Sequence, residues 1–265
     1  MTNPRSNSGL NALIGIAVFA ATVTMAQSAS AGFIPFVIRQ SGGSVSPDIN
    51  DLGGGQTEFV IAESGQKAAL GSGDIDGMTL GSITNLHIDR LDDETRFTSG
   101  SGPAVAPYLN FWITDGTHYA VVANEPSNPA FQPLYSDGYD LSFSDLSDKV
   151  AKIYENSDKS WLPNSGVGLT FADLAGFMIK APTVAELTSG WAGLGTGAPR
   201  ELGTNVAYGV NWVFGDTLSN YVSGQDGYIV ANARVAAAAV PEPATAGIMS
   251  MGLLALGLLY RRRKG

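Results

Sequence analysis

Side chains that could perform catalysis are scarce in this chain of 265 residues, which contains two histidines, His87 and His118, and no cysteine. The lack of cysteine excludes thiol nucleophiles, thiolate zinc sites and iron–sulfur clusters, and two histidines cannot supply a three-histidine metal site. No serine stands in the Gly-x-Ser-x-Gly pattern of many hydrolases, and the Glu-x-Asp-x-x-Glu pattern of sandwich glucanases is absent. The sequence therefore predicts a non-catalytic protein, with a secreted hydrolase as the less favoured alternative.

Acidic residues that could bind a cation occur in three clusters. They are Asp74-Ile-Asp76-Gly77, Asp92-Asp93-Glu94, and the group Asp137, Asp140, Asp145 and Asp148. Calcium takes several oxygen ligands, but none of these stretches has the full pattern of a calcium-binding loop. A structural calcium ion is therefore a candidate cofactor without assigned ligands, and no other metal site is expected. The alternative is that these acids are solvated turn residues or stand at a helix N-terminus.

A hairpin brings two aromatic residues together. Two alternating stretches, Leu109–Thr114 and Thr117–Val122, flank Asp115-Gly116, and Asp-Gly between alternating strands predicts a two-residue turn. Pairing of Thr114 with Thr117 would place Trp112 opposite Tyr119. Both rings would then lie on the face opposite the apolar side chains Leu109, Phe111, Ile113, Ala120 and Val122.

This aromatic pair could form a sugar-binding site. Such sites use an aromatic platform against the apolar face of a sugar ring, flanked by polar side chains that hydrogen-bond its hydroxyl groups. Trp112, Tyr119 and Asn110 are the candidate glycan-binding residues, with His87 and Asp89 joining them from a neighbouring strand. The alternative is that loops or helices cover this face and that Trp112 is a second core residue.

The elements that would position these residues are mainly strands. Residues 32–235 show about ten segments of period-two alternation separated by Gly, Pro, Asn and Asp. This pattern predicts an all-β domain, an antiparallel β-sandwich of the jelly-roll type. The strand Val206–Phe214 alternates most cleanly. The expected core includes Phe111, Ile113, Tyr208, Val210, Trp212 and Phe214.

One or two short helices interrupt this pattern. Ser142-Phe-Ser-Asp145 and Thr170-Phe-Ala-Asp173 both resemble the capping box that opens a helix. After the first, Leu146, Val150, Ile153 and Tyr154 would share one helical face. The second should open only a turn or two.

The N-terminus has the three parts of a secretory signal peptide. Arg5 precedes an apolar run from Leu10 to Met25, and Ala29-Ser-Ala31 has the form of a signal peptidase cleavage site. Residues 1–31 are therefore predicted to be removed, which would make Gly32 the first residue of the exported protein. The alternative is an uncleaved membrane anchor.

The C-terminus combines a short motif, an apolar segment and a basic end. Residues 236–239 are predicted to be a linker to Val240-Pro241-Glu242-Pro243, and an uncharged stretch from Ala244 to Tyr260 follows. As a helix this stretch would span about 25 Å, the lower limit for crossing a bilayer. The basic residues Arg261, Arg262, Arg263 and Lys264 would hold its end in the cytoplasm.

Residues 240–265 closely resemble the PEP-CTERM sorting domain. The resemblance implies a Gram-negative host, an inner-membrane intermediate, and an exosortase that recognises the motif and removes the helix. It also implies a destination at the cell surface or in the extracellular matrix, where exopolysaccharide is produced. The alternative is an ordinary tail anchor, which would need neither Pro241 nor Pro243.

The body resembles concanavalin-like lectins and carbohydrate-binding modules in architecture. The resemblance rests on the strand Gly65–Ala69, the hairpin Asn110–Gly116 and the late strands that begin at Trp212 and Tyr228. It implies glycan binding only by analogy.

Charge excludes nucleic acid as a partner. Residues 32–239 contain 10 basic and 23 acidic residues, and phosphate binding needs clustered basic side chains. We therefore expect an exported, surface-sorted matrix protein of biofilm or exopolysaccharide that binds glycan weakly. A structural surface protein without a ligand site is the alternative.

Overall fold

A computed structural model describes residues 32–40, 45–92, 107–124, 128–135, 139–154, 159–183, 207–215 and 221–238. The signal peptide and the sorting signal predicted at the two ends lie outside the described residues. Two antiparallel sheets form almost the whole of the described fold, with very little helix. The predicted all-β sandwich is confirmed, and its arrangement is in line with a jelly-roll-like body.

The first sheet has seven strands among the described residues, numbered here along the chain. They are β1 (Ile34–Arg39), β4 (Lys67–Ser72), β6 (Tyr108–Thr114), β7 (Tyr119–Ala123), β9 (Lys152–Tyr154), β10 (Met178–Ile179) and β11 (Val210–Phe214). Their spatial order is β1–β4–β11–β6–β7–β9, and β10 pairs with β6 beyond the end of β11.

The second sheet has five strands in the order β2–β3–β12–β5–β8. They are β2 (Asp48–Gly53), β3 (Gln56–Val60), β5 (Ile83–Arg90), β8 (Asp140–Leu141) and β12 (Tyr228–Ala237). Gly54 and Gly55 connect β2 to β3 at φ values of 61° and 81°, a left-handed conformation that glycine adopts without steric cost.

Large side chains fill the space between the sheets. Phe214 of β11 stacks on Phe59 of β3 with ring centroids 4.1 Å apart, and Trp212 meets the ring of Tyr139 edge-on at 6.0 Å. Phe111, Ile113, Val210, Trp212 and Phe214 are fully buried, as predicted.

Tyr208 does not lie on the core face of β11 as the sequence predicted, because this strand begins only at Val210. Its ring lies against Phe36, with centroids 5.1 Å apart, over Gly71. Phe36 and Gly71 lie on the outer face of the seven-stranded sheet, which is the face that points away from the five-stranded sheet. The alternation of β11 therefore does not extend back to Tyr208.

Helices are short. They are α1 (Gln132–Tyr135), α2 (Phe143–Leu146) and the 3-10 helices Leu80–Ser82, Pro163–Gly166 and Ala172–Leu174. Within the described residues, no helix is long and apolar enough to cross a membrane.

Both predicted helix starts occur, but the first helix is shorter than expected. Ser142 and Asp145 form the capping box of α2, and Asp173 accepts hydrogen bonds from the backbone and hydroxyl groups of Thr170. Because α2 ends at Leu146, the predicted helical face is wrong beyond that residue. Val150 is exposed, and Ile153 and Tyr154 belong to β9.

The hairpin register differs from the predicted one by two residues. Thr114 pairs with Tyr119, and Trp112 therefore pairs with Val121 rather than with Tyr119. The loop is longer because the carboxylate of Asp115 accepts hydrogen bonds from the backbone N–H groups of Thr117 and His118. A shift of two keeps every side chain on its predicted face, whereas a shift of one would reverse the faces.

Strand β12 runs to Ala237, so Ala236 and Ala237 of the predicted 236–239 linker lie within the five-stranded sheet. Ala237 pairs with Ile83, and the N–H of Ala238 donates to the carbonyl of Ser82 at 2.8 Å. The folded body therefore continues almost to the sorting motif.

Candidate functional site

The outer face of the seven-stranded sheet contains the residues selected from the sequence. All seven residues of β6 are buried, so this sheet is covered on both faces at its centre. Phe111 and Ile113 face the five-stranded sheet, and the alternate residues Asn110 and Trp112 face outward. The structure thus brings Trp112 and Asn110 to the same face.

A narrow cleft opens on this outer face. Its lining residues are Phe36, Ile38, Asn110, Trp112, Val121, Ala207 and Asn211, most of which are apolar. The enclosed space admits little more than one water-sized group. Trp112 is only 4% exposed, so its ring is a wall of the cleft and not an open platform.

Two asparagines supply the polar part of the cleft. Asn110 and Asn211 are directly opposite each other on β6 and β11, and they are 4% and 2% exposed. The side-chain oxygen of each is buried and has no hydrogen-bond partner among the described residues. A buried acceptor without a partner costs free energy, which makes this pair the most informative polar feature of the face.

Sequence reasoning did not select Asn211. It alternates with Val210 and Trp212 along β11, which indicates the outward face, but outward polar residues usually meet solvent. Only the cover over this face distinguishes Asn211 from an ordinary surface asparagine.

Tyr119 lies on the same face but outside the lining of the cleft. It is half-buried at the start of β7, and Tyr154 of β9, which pairs with Val121, is also half-buried. Lys152 places its ammonium group 5.7 Å from the centre of the Tyr154 ring. The edge formed by β7 and β9 therefore presents partly exposed aromatic rings.

His87 does not join this group. It belongs to β5 of the five-stranded sheet, and its neighbours Leu86 and Ile88 point into the core, so His87 and Asp89 face outward on the opposite side of the sandwich. The expectation that His87 and Asp89 lie beside Trp112 is therefore not met, because the two strands belong to different sheets.

The surroundings of His87 form a separate polar cluster. Its Nε2 lies 2.9 Å from Asp89, and its Nδ1 lies 3.5 Å from Asp140. Asn232 donates to the second oxygen of Asp89 at 2.6 Å, and this hydrogen bond is the main reason that the pKa of Asp89 is lowered. The cluster joins β5, β8 and β12 on the outer face of their sheet.

His118 takes part in a second small cluster, in the hairpin loop. Its ring stacks on Trp161 with centroids 5.9 Å apart, and its Nδ1 lies 3.0 Å from Asp115. Partial burial by itself would raise the pKa of Asp115. The hydrogen bonds that its carboxylate accepts from the backbone and ring of His118 and from the backbone of Thr117 have the larger combined effect, and they lower this pKa to about 2. Sequence spacing could not indicate the contact with Trp161, because the two residues are far apart in the chain.

Several of the acidic residues proposed for calcium have other partners. Asp92 forms an ion pair with Arg90 at 2.9 Å, Asp145 accepts the N–H of Ser142, and Asp140 accepts from Asn85. Asp93, Glu94 and Asp137 lie outside the described residues. Within the described part of the chain, no group of three or more His, Asp or Glu residues is arranged to hold a metal ion. A structural calcium ion stays a prediction.

The described residues thus form a sandwich body whose candidate site is a narrow, mostly apolar cleft with two asparagines in its lining. Beyond it, residues 239–264 match the family model of the PEP-CTERM protein-sorting motif. This match confirms the resemblance seen in Val240–Pro243 and Arg261–Lys264, and it implies processing by an exosortase, export and association with the cell surface. No curated protein and no solved structure matches the chain.

Proposed function

We propose that this protein is a non-catalytic component of an extracellular matrix that contacts polysaccharide weakly through the outer face of the seven-stranded sheet. The sorting motif supports the location, since it implies export and association with the cell surface. The observation that carries the binding role is the presence, on this one face, of the partly exposed aromatic rings of Tyr119 and Tyr154.

The non-catalytic role rests on the sequence, which lacks the serine motif and the paired-carboxylate motif of the hydrolases considered above.

A structural surface protein without a ligand site is the second candidate. The low exposure of Trp112 favours it, because a covered tryptophan adds to the core and needs no ligand to explain it. In that case the outer face contributes to stability alone.

The two candidates can be separated by replacing the partly exposed rings of Tyr119 and Tyr154 and leaving Trp112 intact. Tyr119→Leu and Tyr154→Leu keep apolar volume but remove the aromatic rings. The control is Leu52→Ala, which truncates an exposed apolar side chain on β2, the edge strand of the other sheet. We expect the two tyrosine variants to lose retention on immobilised neutral polysaccharides while their melting temperatures stay near that of the unmodified protein. Equal retention of all variants, or no retention of any, would favour the structural role.

A further inference from the structure

We infer that the free edge at the end of β12 is a docking site for the exosortase, which adds a strand of its own there when it processes the sorting motif. The inference rests on the match of residues 239–264 to that motif and is independent of polysaccharide binding. It gives the folded body itself a part in processing.

The edge exists because β12 extends beyond β3. Strand β12 pairs with β3 only over Tyr228–Val230, and β3 begins at Gln56, one residue before the partner of Val230. On its other side, β12 pairs with β5 as far as Ala237. After Val230, β12 is therefore paired on one side only among the described residues.

Backbone groups on the free side can accept a further strand. The N–H of Ala238 donates to the carbonyl of Ser82, which directly precedes β5. Since successive residues direct their backbone groups to opposite sides of a strand, those of Ala237 point away from β5. Ala237 is half-buried, and its neighbours Ala236 and Ala238 are exposed. Their small side chains leave room for another main chain to approach.

The part of this edge nearest the motif is unguarded. Exposed edges are commonly protected from pairing by bulges and charges. The register shift between Ala231 and Arg234 adds length to β12, and Arg234 adds a charge, so both guard the first half of the edge. Residues 235–238 are Val-Ala-Ala-Ala, with no charge and no proline.

The continuity of the chain indicates the occupant. Ala237 and Pro241 are four residues apart, about 14 Å when fully extended. An enzyme that holds the motif is therefore within reach of the edge. Addition of a strand supplies main-chain hydrogen bonds, and it requires no particular side chains from β12.

The first test is Ala237→Pro in the full precursor, expressed in the organism that processes it. Proline removes the N–H on the free side and leaves the hydrogen bond from Ala238 to Ser82. Immunoblotting should show conversion of precursor to mature protein slowed by up to about tenfold, the effect of one lost main-chain hydrogen bond. Ala237→Ser keeps the N–H, and this matched control should be processed at the unmodified rate.

A second variant keeps β12 intact in case the proline frays the strand. A flexible insertion of about six Gly and Ser residues after Ala238 moves the motif away from the edge. If the edge docks the enzyme, conversion should slow severalfold, whereas a body that merely obstructs the enzyme would give faster conversion. Unchanged or faster conversion of this variant, or normal processing of Ala237→Pro, would overturn the inference. So would a dimer of the mature protein that Ala237→Pro dissociates without affecting processing, because a second copy would then occupy the edge.

Discussion

The ring of Tyr208 occupies the space in which a side chain at residue 71 would lie. Gly71 is in β4 and pairs with Asn211, so its missing side chain would point to the outer face of the seven-stranded sheet. The ring of Tyr208 fills that space and also packs on Phe36. Because the carbonyl of Tyr208 holds the amide of Asn211, this packing fixes one wall of the cleft.

Gly71→Ala should therefore disturb both the stability and the cleft. A Cβ at this position would overlap the ring of Tyr208 and approach Phe36 to 2.8 Å. Overpacking of this kind costs about 1–3 kcal/mol, which thermal melting would detect. Gly176→Ala is the matched control, because nothing lies within 4 Å of its Cβ position. If the two variants have the same melting temperature, the ring of Tyr208 moves aside without a measurable loss of stability.

Asp92→Asn should be strongly destabilising. The side chains of Arg90 and Asp92 are 3% and 0% exposed, and Asp92 also accepts the backbone N–H of Ile229 from β12. Removal of Asp92 leaves the buried charge of Arg90 without its counter-charge. This should lower the free energy of unfolding, measured in urea, by about 3 kcal/mol or more. Asp148→Asn breaks an exposed pair with Lys149 and should leave the unfolding midpoint unchanged.

Asp76→Asn should stabilise the protein above pH 6. Asp76 is exposed as a residue, but its carboxyl group lies against Gly209, and the resulting desolvation raises the pKa of Asp76 to about 6; nearby Lys180 lowers it and Asp74 raises it further. Since the folded-state pKa is above the unfolded value, the stability linked to this proton is present below about pH 4 and is lost as the pH rises through 6. The asparagine of the variant does not ionise. The melting temperature of the variant should therefore exceed that of the unmodified protein at pH 7.5 and approach it at pH 4.

The exposed Asp48→Asn on β2 serves as the control for this charge removal. If Asp48→Asn and Asp76→Asn shift the melting temperature equally at pH 7.5, general relief of negative charge explains the effect and the desolvation of the Asp76 carboxyl group does not.

Processing should leave β12 complete. Mass spectrometry of surface material should find Gly32 as the first residue and no peptide from residues 252–261. The final residue should be Ala238 or a later one, because Ala238 is the last residue that the structure describes and its N–H is hydrogen-bonded to Ser82. A mature protein that ends within β12 would lose a central strand and would contradict this expectation.

Period-two alternation predicted much of the fold. It identified the faces of β6 and β11 correctly, and a register shift of two residues left Trp112 on its predicted face. It could not show that Tyr208 precedes its strand or that Leu146 ends its helix. The residues at which a strand begins or a helix ends depend on pairing partners and capping groups from distant parts of the chain.

The candidate site was predicted only in part. Trp112 and Asn110 were selected correctly as neighbours, but Asn211 was missed and His87 was assigned to the wrong surroundings. Alternation states which residues share a face of one strand. It does not state which strands share a sheet, and β5 and β6 belong to different sheets.

The sequence by itself determined the sorting of this protein, because the motif and basic end are read as a linear signal and match a family model over residues 239–264. It also determined the all-β class through its alternation. Only the tertiary structure decided that the outer face of the central strands is covered, with Trp112 buried and two asparagine oxygens enclosed. Burial results from contacts among residues far apart in the chain, and no local pattern records it.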